Sequence, residues 1–189
     1  MRRWVGLCLA VSLSLGAMAE APRPARTIPD FTLTDQNGEP WSTRDRQGTV
    51  TLVSFGYTSC PDVCPLTLQV QAAALRALGD RAGDVRVLFI SVDPTRDRPD
   101  RVKDYVRYFD SRIVGLTGDK TAIDRVVNHF GATYAIGAET TDGGYTVEHS
   151  ANLFVVDRAG RLVTVVPFGL PPEHIARTVR NLLAESRRD

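Results

Sequence analysis

The stretch VTLVSFGYTSCPDVCP, residues 50–65, decides the fold of this chain. Residues 50–57 form a nearly continuous apolar run, which is typical of a strand buried on both faces in the middle of a sheet. A loop rich in Cys and Pro follows, and residues 66–78 then carry apolar side chains at helical spacing. A buried strand that leads through a short loop into an amphipathic helix predicts an α/β domain.

Short strand patterns and helical patterns alternate on both sides of this stretch. We predict an N-terminal hairpin with one strand at residues 31–34 and a return strand around Trp41, and a second hairpin that is inserted late in the chain at residues 132–136 and 145–147. Gly131 is predicted to end the helix before that second hairpin. The remaining predicted strands are residues 85–92, 113–116, 152–156 and 162–167, and the remaining helices are residues 101–109, 122–130 and 171–186.

The length and composition indicate one folded domain behind an export signal. A chain of 189 residues with 43% hydrophobic and 24% charged residues suits a single globular domain with a full core. Residues 1–19 contain two arginines, an apolar run and the sequence Ala17-Met18-Ala19, which predicts a cleavable secretory signal. We assign residues 20–29, which are rich in Pro, to a linker, and residues 30–187 to the domain.

The predicted signal also bears on location and partners. Its uncharged run is shorter than the ~20 residues that cross a bilayer, so cleavage is favoured over a membrane anchor, and the protein is expected in the periplasm or otherwise exported, membrane-tethered only if the segment is retained. Cleavage removes Cys8 and both methionines and leaves 21 of the 23 basic residues against 22 acidic ones, a formal charge of −1. This balance gives no reason to expect a nucleic-acid partner.

Cys60 and Cys64 are then the only cysteines of the mature chain. Pro65 suits the first position of a helix, which would place Cys64 at or near the N-cap, where the helix dipole favours a thiolate. Two sulfurs at this spacing can share a metal ion, act as a redox-active pair or form a structural disulfide. An inert disulfide is disfavoured, because so small a loop would stabilise the fold little.

The ligand types favour copper(I), because two soft thiolates without a thioether suit that ion and a closed structural zinc site needs a fourth protein ligand. A third ligand must come from His129, His149 or His174. His129 is predicted to stabilise the C-terminal end of a helix, and His174 to be solvated in the first turn of the last helix. His149 lies at a junction between a loop and a strand, where functional side chains often occur, but the sequence gives no distance from it to the cysteines.

Several stretches resemble the Sco/SenC family, a thioredoxin-like group that is implicated in copper delivery to the binuclear copper centre of cytochrome c oxidase subunit II. The resemblance covers about residues 28–186, and its motifs are IPDFTL (28–33), FGYTSCPDVCP (55–65), FISVDPTRD (89–97), YTVEHS (145–150) and FVVD (154–157). It implies a thioredoxin-like fold with an N-terminal β-hairpin extension and an inserted hairpin before the last sheet strands. It also implies that Cys60, Cys64 and His149 bind copper, as Cu(I) or Cu(II).

Three acidic residues near these motifs are candidates for a supporting or docking role. Asp93 follows the strand at residues 85–92, at the sheet edge where α/β proteins place ligands, although it also suits a turn that leads into a helix. Asp62 lies between the cysteines. Glu148 stands where aspartate is more usual in the family, which keeps the charge on a side chain one methylene longer.

Two functions therefore follow from the sequence. The first is an exported copper carrier whose partner is the copper domain of a respiratory oxidase, with another copper carrier or a thioredoxin-like reductant as further partners. The second is a thiol-disulfide oxidoreductase in which Cys60 and Cys64 reduce the copper-ligand cysteines of a partner protein. The Cys-x-x-x-Cys spacing differs from the Cys-x-x-Cys of thioredoxins, and the motif of a peroxidase of the peroxiredoxin type is absent.

Overall fold

The protein forms one large mixed sheet flanked by helices, with a small separate hairpin. The computed structural model describes residues 25–46, 48–139 and 144–185. The predicted signal at residues 1–19 lies outside the described residues and stays a prediction. The strands are β1 Arg26–Thr27, β2 Thr32–Asp35, β3 Pro40–Ser42, β4 Val50–Gly56, β5 Val85–Ser91, β6 Ile113–Thr117, β7 Tyr134–Glu139, β8 Tyr145–His149, β9 Leu153–Val156 and β10 Arg161–Val166. The helices are α1 Val63–Leu78, α2 Pro99–Phe109, α3 Lys120–Phe130 and α4 Pro172–Glu185, with short 3-10 helices at Thr43–Arg46 and Gly79–Asp84.

Strand β4 lies in the middle of the eight-stranded sheet, whose order is β1-β10-β9-β4-β5-β6-β2-β3. Every residue of β4 is buried, as its nearly continuous apolar sequence predicts. It runs parallel to β5 and antiparallel to β9. Because β4, β5 and β6 are parallel, the loops that follow them emerge at the same edge of the sheet, and this edge carries the cysteine motif.

Two hydrophobic clusters cover the two faces of the sheet. One contains apolar side chains of α1, α2 and α4, and the other contains those of α3 and of the N-terminal hairpin. Strand β5 shows the division, since Val87 and Phe89 belong to the first cluster whereas Leu88 and Ile90 belong to the second. Alternate side chains of a strand point to opposite faces, so a strand between two helical layers carries apolar side chains on both faces.

Both predicted extensions of the fold are present. Strands β2 and β3 pair as an N-terminal hairpin at the sheet edge. Strands β7 and β8 pair with each other in a separate two-stranded sheet, and the turn between them lies partly outside the described residues. The helix before them ends at Gly131, whose φ of 67° is in the left-handed region, as predicted for a glycine that closes a helix.

The first described strand lies inside the segment that the sequence assigns to a linker. Arg26–Thr27 pairs with β10, and the side chain of Ile28 is only 3% exposed. Its backbone N–H donates to the carbonyl oxygen of Gly160 at 2.9 Å. A single apolar residue among prolines and arginines has no periodicity, so the pattern could not show that the core of the domain includes it.

Helix α1 also begins earlier than predicted. Its N-cap is Asp62, and Cys64 and Pro65 are the second and third helical residues. The first four N–H groups of a helix have no partner within it, so a proline is tolerated throughout the first turn and its position does not fix the start. Among the described residues, no helix combines the length and the apolar character that crossing a bilayer requires.

Candidate metal centre

The cysteine loop follows β4 and leads directly into α1. Cys60 is half-buried in the loop, and its N–H donates to the carbonyl oxygen of Tyr57 at 3.2 Å. Cys64 lies in the first turn of α1 with only 2% of its surface exposed. Both cysteines are free thiols.

His149 joins these two cysteines from a distant part of the chain. It is the last residue of β8, and its Nε2 lies 3.0 Å from Sγ of Cys64. The ligand atoms of Cys60, Cys64 and His149 all lie within 4.8 Å of one another, and the described residues contain no other group of three such side chains. One ion placed among these atoms would be within reach of all three.

The protonation of His149 suits a metal ligand. Its Nδ1 lies 3.1 Å from the carbonyl oxygen of Ser150; a carbonyl only accepts, so Nδ1 carries the proton and donates it. This tautomer leaves the lone pair on Nε2, the nitrogen that faces Cys64. Burial lowers the pKa of His149 below its ordinary value of 6.5, which keeps the ring neutral and able to bind a metal near pH 7.

The surroundings of Cys64 differ from the sequence prediction. The position near the helix start predicts a stabilised thiolate, whereas the structure shows that burial raises the pKa of the Cys64 thiol. Desolvation penalises the charged form, so the metal-free protein favours the neutral thiol over the predicted thiolate. A bound cation would supply the missing positive charge, because metal binding releases the thiol proton.

Gly56, the last residue of β4, makes room for the Cys64 sulfur. A Cβ atom at this position would lie 2.7 Å from Sγ of Cys64 and 2.8 Å from Cε2 of Phe89. Both distances are shorter than carbon side chains accept. The sulfur can therefore pack against the sheet only because residue 56 has no side chain.

Asp97 anchors the start of the cysteine loop. This aspartate is fully buried. Its carboxylate accepts from the N–H of Thr58 at 2.8 Å, from the hydroxyl of Thr58 at 2.6 Å and from the hydroxyl of Ser91 at 2.6 Å. Arg101 adds two bonds on the outer side, to the hydroxyls of Thr58 and Ser59. The loop is thus held by Asp97 of the β5–α2 connection and by Arg101 of α2.

Asp93 and Arg96 hold the hairpin that carries His149. Asp93 is fully buried; its carboxylate accepts from the hydroxyl of Tyr145 at 2.7 Å and from Nε of Arg96. Arg96 also donates through Nη1 to the carbonyl oxygen of Tyr145 at 2.9 Å. Its guanidinium carbon lies 3.7 Å from the centre of the Tyr145 ring and 5.4 Å from that of Tyr57. Asp93 therefore contacts the histidine hairpin and not the metal-binding atoms.

The other two acidic candidates contact none of the three candidate ligands. Asp62 is exposed at the N-cap of α1 and makes no capping hydrogen bond with its side chain. Glu148 is exposed on β8, and because side chains alternate along a strand it points away from the face of His149. The supporting or docking roles predicted for Asp62 and Glu148 stay predictions.

The two remaining histidines lie apart from this cluster. His129 is at the C-terminal end of α3, where it lines a separate cavity of about 500 Å³ with Asp30 and Arg125. His174 lies in α4, and its Nδ1 is 3.3 Å from Nη2 of Arg177. Neither belongs to the group formed by His149 and the cysteines.

Sequence reasoning assigned no role to Arg96, Asp97 or Tyr145. All three lie in the stretches FISVDPTRD and YTVEHS, which were singled out as motifs. The spacing of Tyr145 and His149 does indicate that both side chains lie on one face of a strand. The residues that bind Tyr145 lie in another segment of the chain, so the spacing alone does not identify Arg96 or Asp97 as part of the site.

Comparisons with known proteins agree with this geometry. The family model described as SCO1/SenC matches residues 19–184. The SCO2-like protein of Rickettsia conorii is 33% identical over 153 residues, which cover 80% of this chain and 75% of the relative.

Solved structures are similar to this chain as well. The structure of ScoI from Bradyrhizobium japonicum with copper bound has a TM-score of 0.76 and 39% identity, and the match covers 82% of this chain and 99% of that one. For the copper-bound ScoI of Arabidopsis thaliana the TM-score is 0.77 and the identity 30%, with coverage of 83% and 98%. These matches confirm the predicted thioredoxin-like α/β fold.

Proposed function

This chain belongs to the SCO1/SenC family, and on that premise we propose that it is an exported copper carrier. Cys60, Cys64 and His149 bind the copper ion, and the protein delivers it to, or prepares, the binuclear copper centre of a cytochrome c oxidase. The observation that carries the proposal is the convergence of two thiols and one imidazole within 4.8 Å. The copper bound to the related ScoI proteins supports it.

The ligand set supports copper(I) as the transported form. Thiolate sulfur and imidazole nitrogen are ligands that soft or borderline metals prefer, and two sulfurs favour copper(I) over harder cations. A structural zinc site would need a fourth protein ligand, and the described residues offer three in this cluster. Three ligands at a half-buried position leave the ion open to attack by a ligand of the recipient.

Copper stoichiometry tests the binding step. The reduced protein should bind one copper(I) per chain in competition with a chromophoric chelator. His149→Ala should weaken binding, whereas His174→Ala, which removes the same side chain from α4, should not. A reduced protein that takes up no copper, or a His149→Ala variant that binds as well as the wild type, would contradict the three-ligand site.

Transfer to the recipient is a separate step with its own experiment. Copper(I)-loaded protein, two equivalents per recipient, is mixed with the metal-free, exported copper domain of an oxidase subunit II, and the copper content of the re-isolated recipient is measured, which is two ions when the binuclear centre is filled. The expected result is formation of that centre. A Cys60→Ser/Cys64→Ser variant treated with the same copper is the control, and equal formation of the centre with this variant would show that the protein does not deliver the ion.

The ligand geometry and the copper-bound relatives favour copper binding over thiol-disulfide exchange as the main activity. An attacking cysteine needs a thiolate, and because burial raises the pKa of the Cys64 thiol, Cys64 does not suit the attacking role. Sγ of Cys64 instead lies against Nε2 of His149, an arrangement that suits a shared metal ion.

The export that we propose depends on residues 1–19. Detection of the protein in the periplasmic fraction, with its N-terminus at residue 20, would test it.

A further inference from the structure

We propose that Arg96 is a positioning residue for the metal centre. Through Tyr145 it holds the β7–β8 hairpin in the place where Nε2 of His149 faces the two sulfurs. This inference rests on the proposed copper function, since it explains how the third ligand of that site is held. Arg96 touches none of the three ligand atoms and acts on the site through Tyr145.

The hairpin needs such a support because it is not part of the main sheet. In the described structure β7 and β8 pair only with each other. No ladder of backbone hydrogen bonds therefore sets the distance between β8 and the cysteine loop. Side-chain contacts between the hairpin and the rest of the domain must set it instead.

Two hydrogen bonds lie near the base of the hairpin, one between backbone groups and one between side chains. The backbone N–H of Ser150 donates to the carbonyl oxygen of Thr133 at 2.9 Å, and the hydroxyl of Tyr134 donates to Asp124 of α3 at 2.5 Å. These bonds join the hairpin to its own stem and to α3. They do not reach the β5–α2 connection, which lies beside the cysteine loop.

Arg96 supplies a further attachment, at the other end of β8. Its guanidinium binds the carbonyl oxygen of Tyr145 at 2.9 Å and lies 3.7 Å from the centre of the Tyr145 ring. The buried carboxylate of Asp93 binds both partners, Nε of Arg96 and the hydroxyl of Tyr145. Arginine suits this position because its planar group can donate in two directions while stacking on a ring.

The contacts of Arg96 extend towards the histidine itself. Tyr145, Val147 and His149 share one face of β8 because side chains alternate along a strand, and Val147 is buried in the core. The ring of Tyr57 lies 5.4 Å from the Arg96 guanidinium and meets the His149 ring edge to face, with 6.0 Å between ring centres. Arg96 thus supports both the strand and a wall of the histidine pocket.

The same short turn also fixes the cysteines. Asp97 holds the loop at Thr58, and its backbone N–H donates to the carbonyl oxygen of Asp93 at 2.9 Å. The turn from Asp93 to Asp97 therefore binds the cysteine loop with the side chain of Asp97 and the histidine hairpin with those of Asp93 and Arg96. This turn, together with the hydrogen bond between the Tyr57 side chain and the backbone of Val147, sets the separation between the two halves of the metal site.

Replacement of Arg96 by lysine tests the proposal with the least disturbance. Lysine keeps a positive charge beside Asp93 but cannot bond to Asp93 and Tyr145 with one rigid planar group. We expect Arg96→Lys to weaken copper(I) binding about 10-fold, at the lower end of the effects of groups that orient metal ligands. Arg98→Lys is the matched control, because Arg98 lies two residues away with 75% of its side chain exposed, and it should bind copper as the wild type does.

A double-mutant cycle separates positioning from a general loss of structure. In the His149→Ala background the Arg96→Lys change should alter copper binding by less than about twofold, because Arg96 acts through a ligand that is no longer present. An equal loss in both backgrounds would mean that Arg96 only stabilises the fold, and would overturn the inference. Should Arg96→Lys fail to fold, Tyr145→Phe takes its place in the same cycle, since it removes only the hydroxyl that binds Asp93.

A readout without metal complements the cycle. In the metal-free protein, Arg96→Lys should shift the imidazole NMR signals of His149 and leave those of His174 unchanged. Unchanged His149 signals together with unchanged copper affinity would overturn the inference. If His149→Ala binds copper as well as the wild type, the three-ligand function itself fails, and that outcome is distinct from a failure of Arg96 alone.

Discussion

Nε2 of His149 lies 3.0 Å from Sγ of Cys64, although 85 positions separate the two residues in the chain. The contact joins the first turn of helix α1 to the end of strand β8, which belongs to the separate two-stranded sheet. Because Nδ1 of His149 donates to the carbonyl oxygen of Ser150, Nε2 accepts the thiol proton in the metal-free protein. The same lone pair is then the one available to copper.

Enlarging Gly56 should disturb both the core and the metal site. In Gly56→Ala the new methyl group would lie 2.7 Å from Sγ of Cys64, and we expect overpacking to lower the free energy of unfolding by about 1–3 kcal/mol. Urea denaturation measures the stability, and chelator competition should show weaker copper binding. Gly83→Ala is the control, since nothing lies within 4 Å of a Cβ atom there; equal effects of both changes would refute the proposed role of Gly56.

Removing the charge of Asp97 should loosen the cysteine loop. Its two carboxylate oxygens accept three hydrogen bonds from Thr58 and Ser91, and Asp97→Asn replaces one acceptor oxygen with a donor. We expect the free energy of unfolding to fall by about 1–3 kcal/mol, with faster hydrogen exchange at the Thr58 amide. Asp100→Asn changes an exposed aspartate of the same region and should alter neither measurement. An unaltered exchange rate at Thr58 would argue against the anchoring role of Asp97.

The two cysteines should differ in reactivity. In the native, reduced protein we expect iodoacetamide to modify Cys60 well before Cys64, because Cys64 is only 2% exposed and burial raises the pKa of its thiol. Mass spectrometry with fragmentation locates the adduct, and unfolding in urea should equalise the two rates. Bound copper(I) should protect both residues. Equal labelling rates in the native protein would be inconsistent with the burial of Cys64.

The carboxylate of Asp124 should titrate below its ordinary range. Hydrogen bonds from Lys120 and Tyr134 hold the pKa of Asp124 below 3.8, so their stabilising effect is present above pH 3.8 and is lost as the pH falls through the folded-state value. NMR titration of the side-chain carboxyl groups measures it, and Lys120→Gln should raise the pKa of Asp124. Asp110, whose pKa is lowered by Arg112, is the internal reference and should not respond to Lys120→Gln. An Asp124 pKa at its ordinary value in the wild type would contradict this contact.

Local patterns were enough to predict most of the secondary structure. The buried run at the start of VTLVSFGYTSCPDVCP became β4, and the glycine after α3 adopts the left-handed conformation that ends a helix. Both features depend on residues that are neighbours in the chain. The start of α1 and the pairing of Arg26–Thr27 with β10 were not predicted, because the first turn of a helix tolerates proline and a two-residue strand has no period.

The sequence by itself determined the fold class, the resemblance to a family and the isolated pair of cysteines. Each of these can be recognised from residue types and short spacings, because each depends on residues that are close together in one strand, turn or loop. The sequence also identified three histidines as candidates, but position and pattern could not choose among them without the resemblance.

Only the tertiary structure decided which histidine faces the sulfurs and what holds it there. The contact of His149 with Cys64 and the support that Arg96 gives to Tyr145 join segments that are far apart in the chain. Such distances result from the packing of the whole domain, to which every layer contributes. The raised pKa of Cys64 has the same origin, since burial is a property of the assembled core and penalises the charged thiolate.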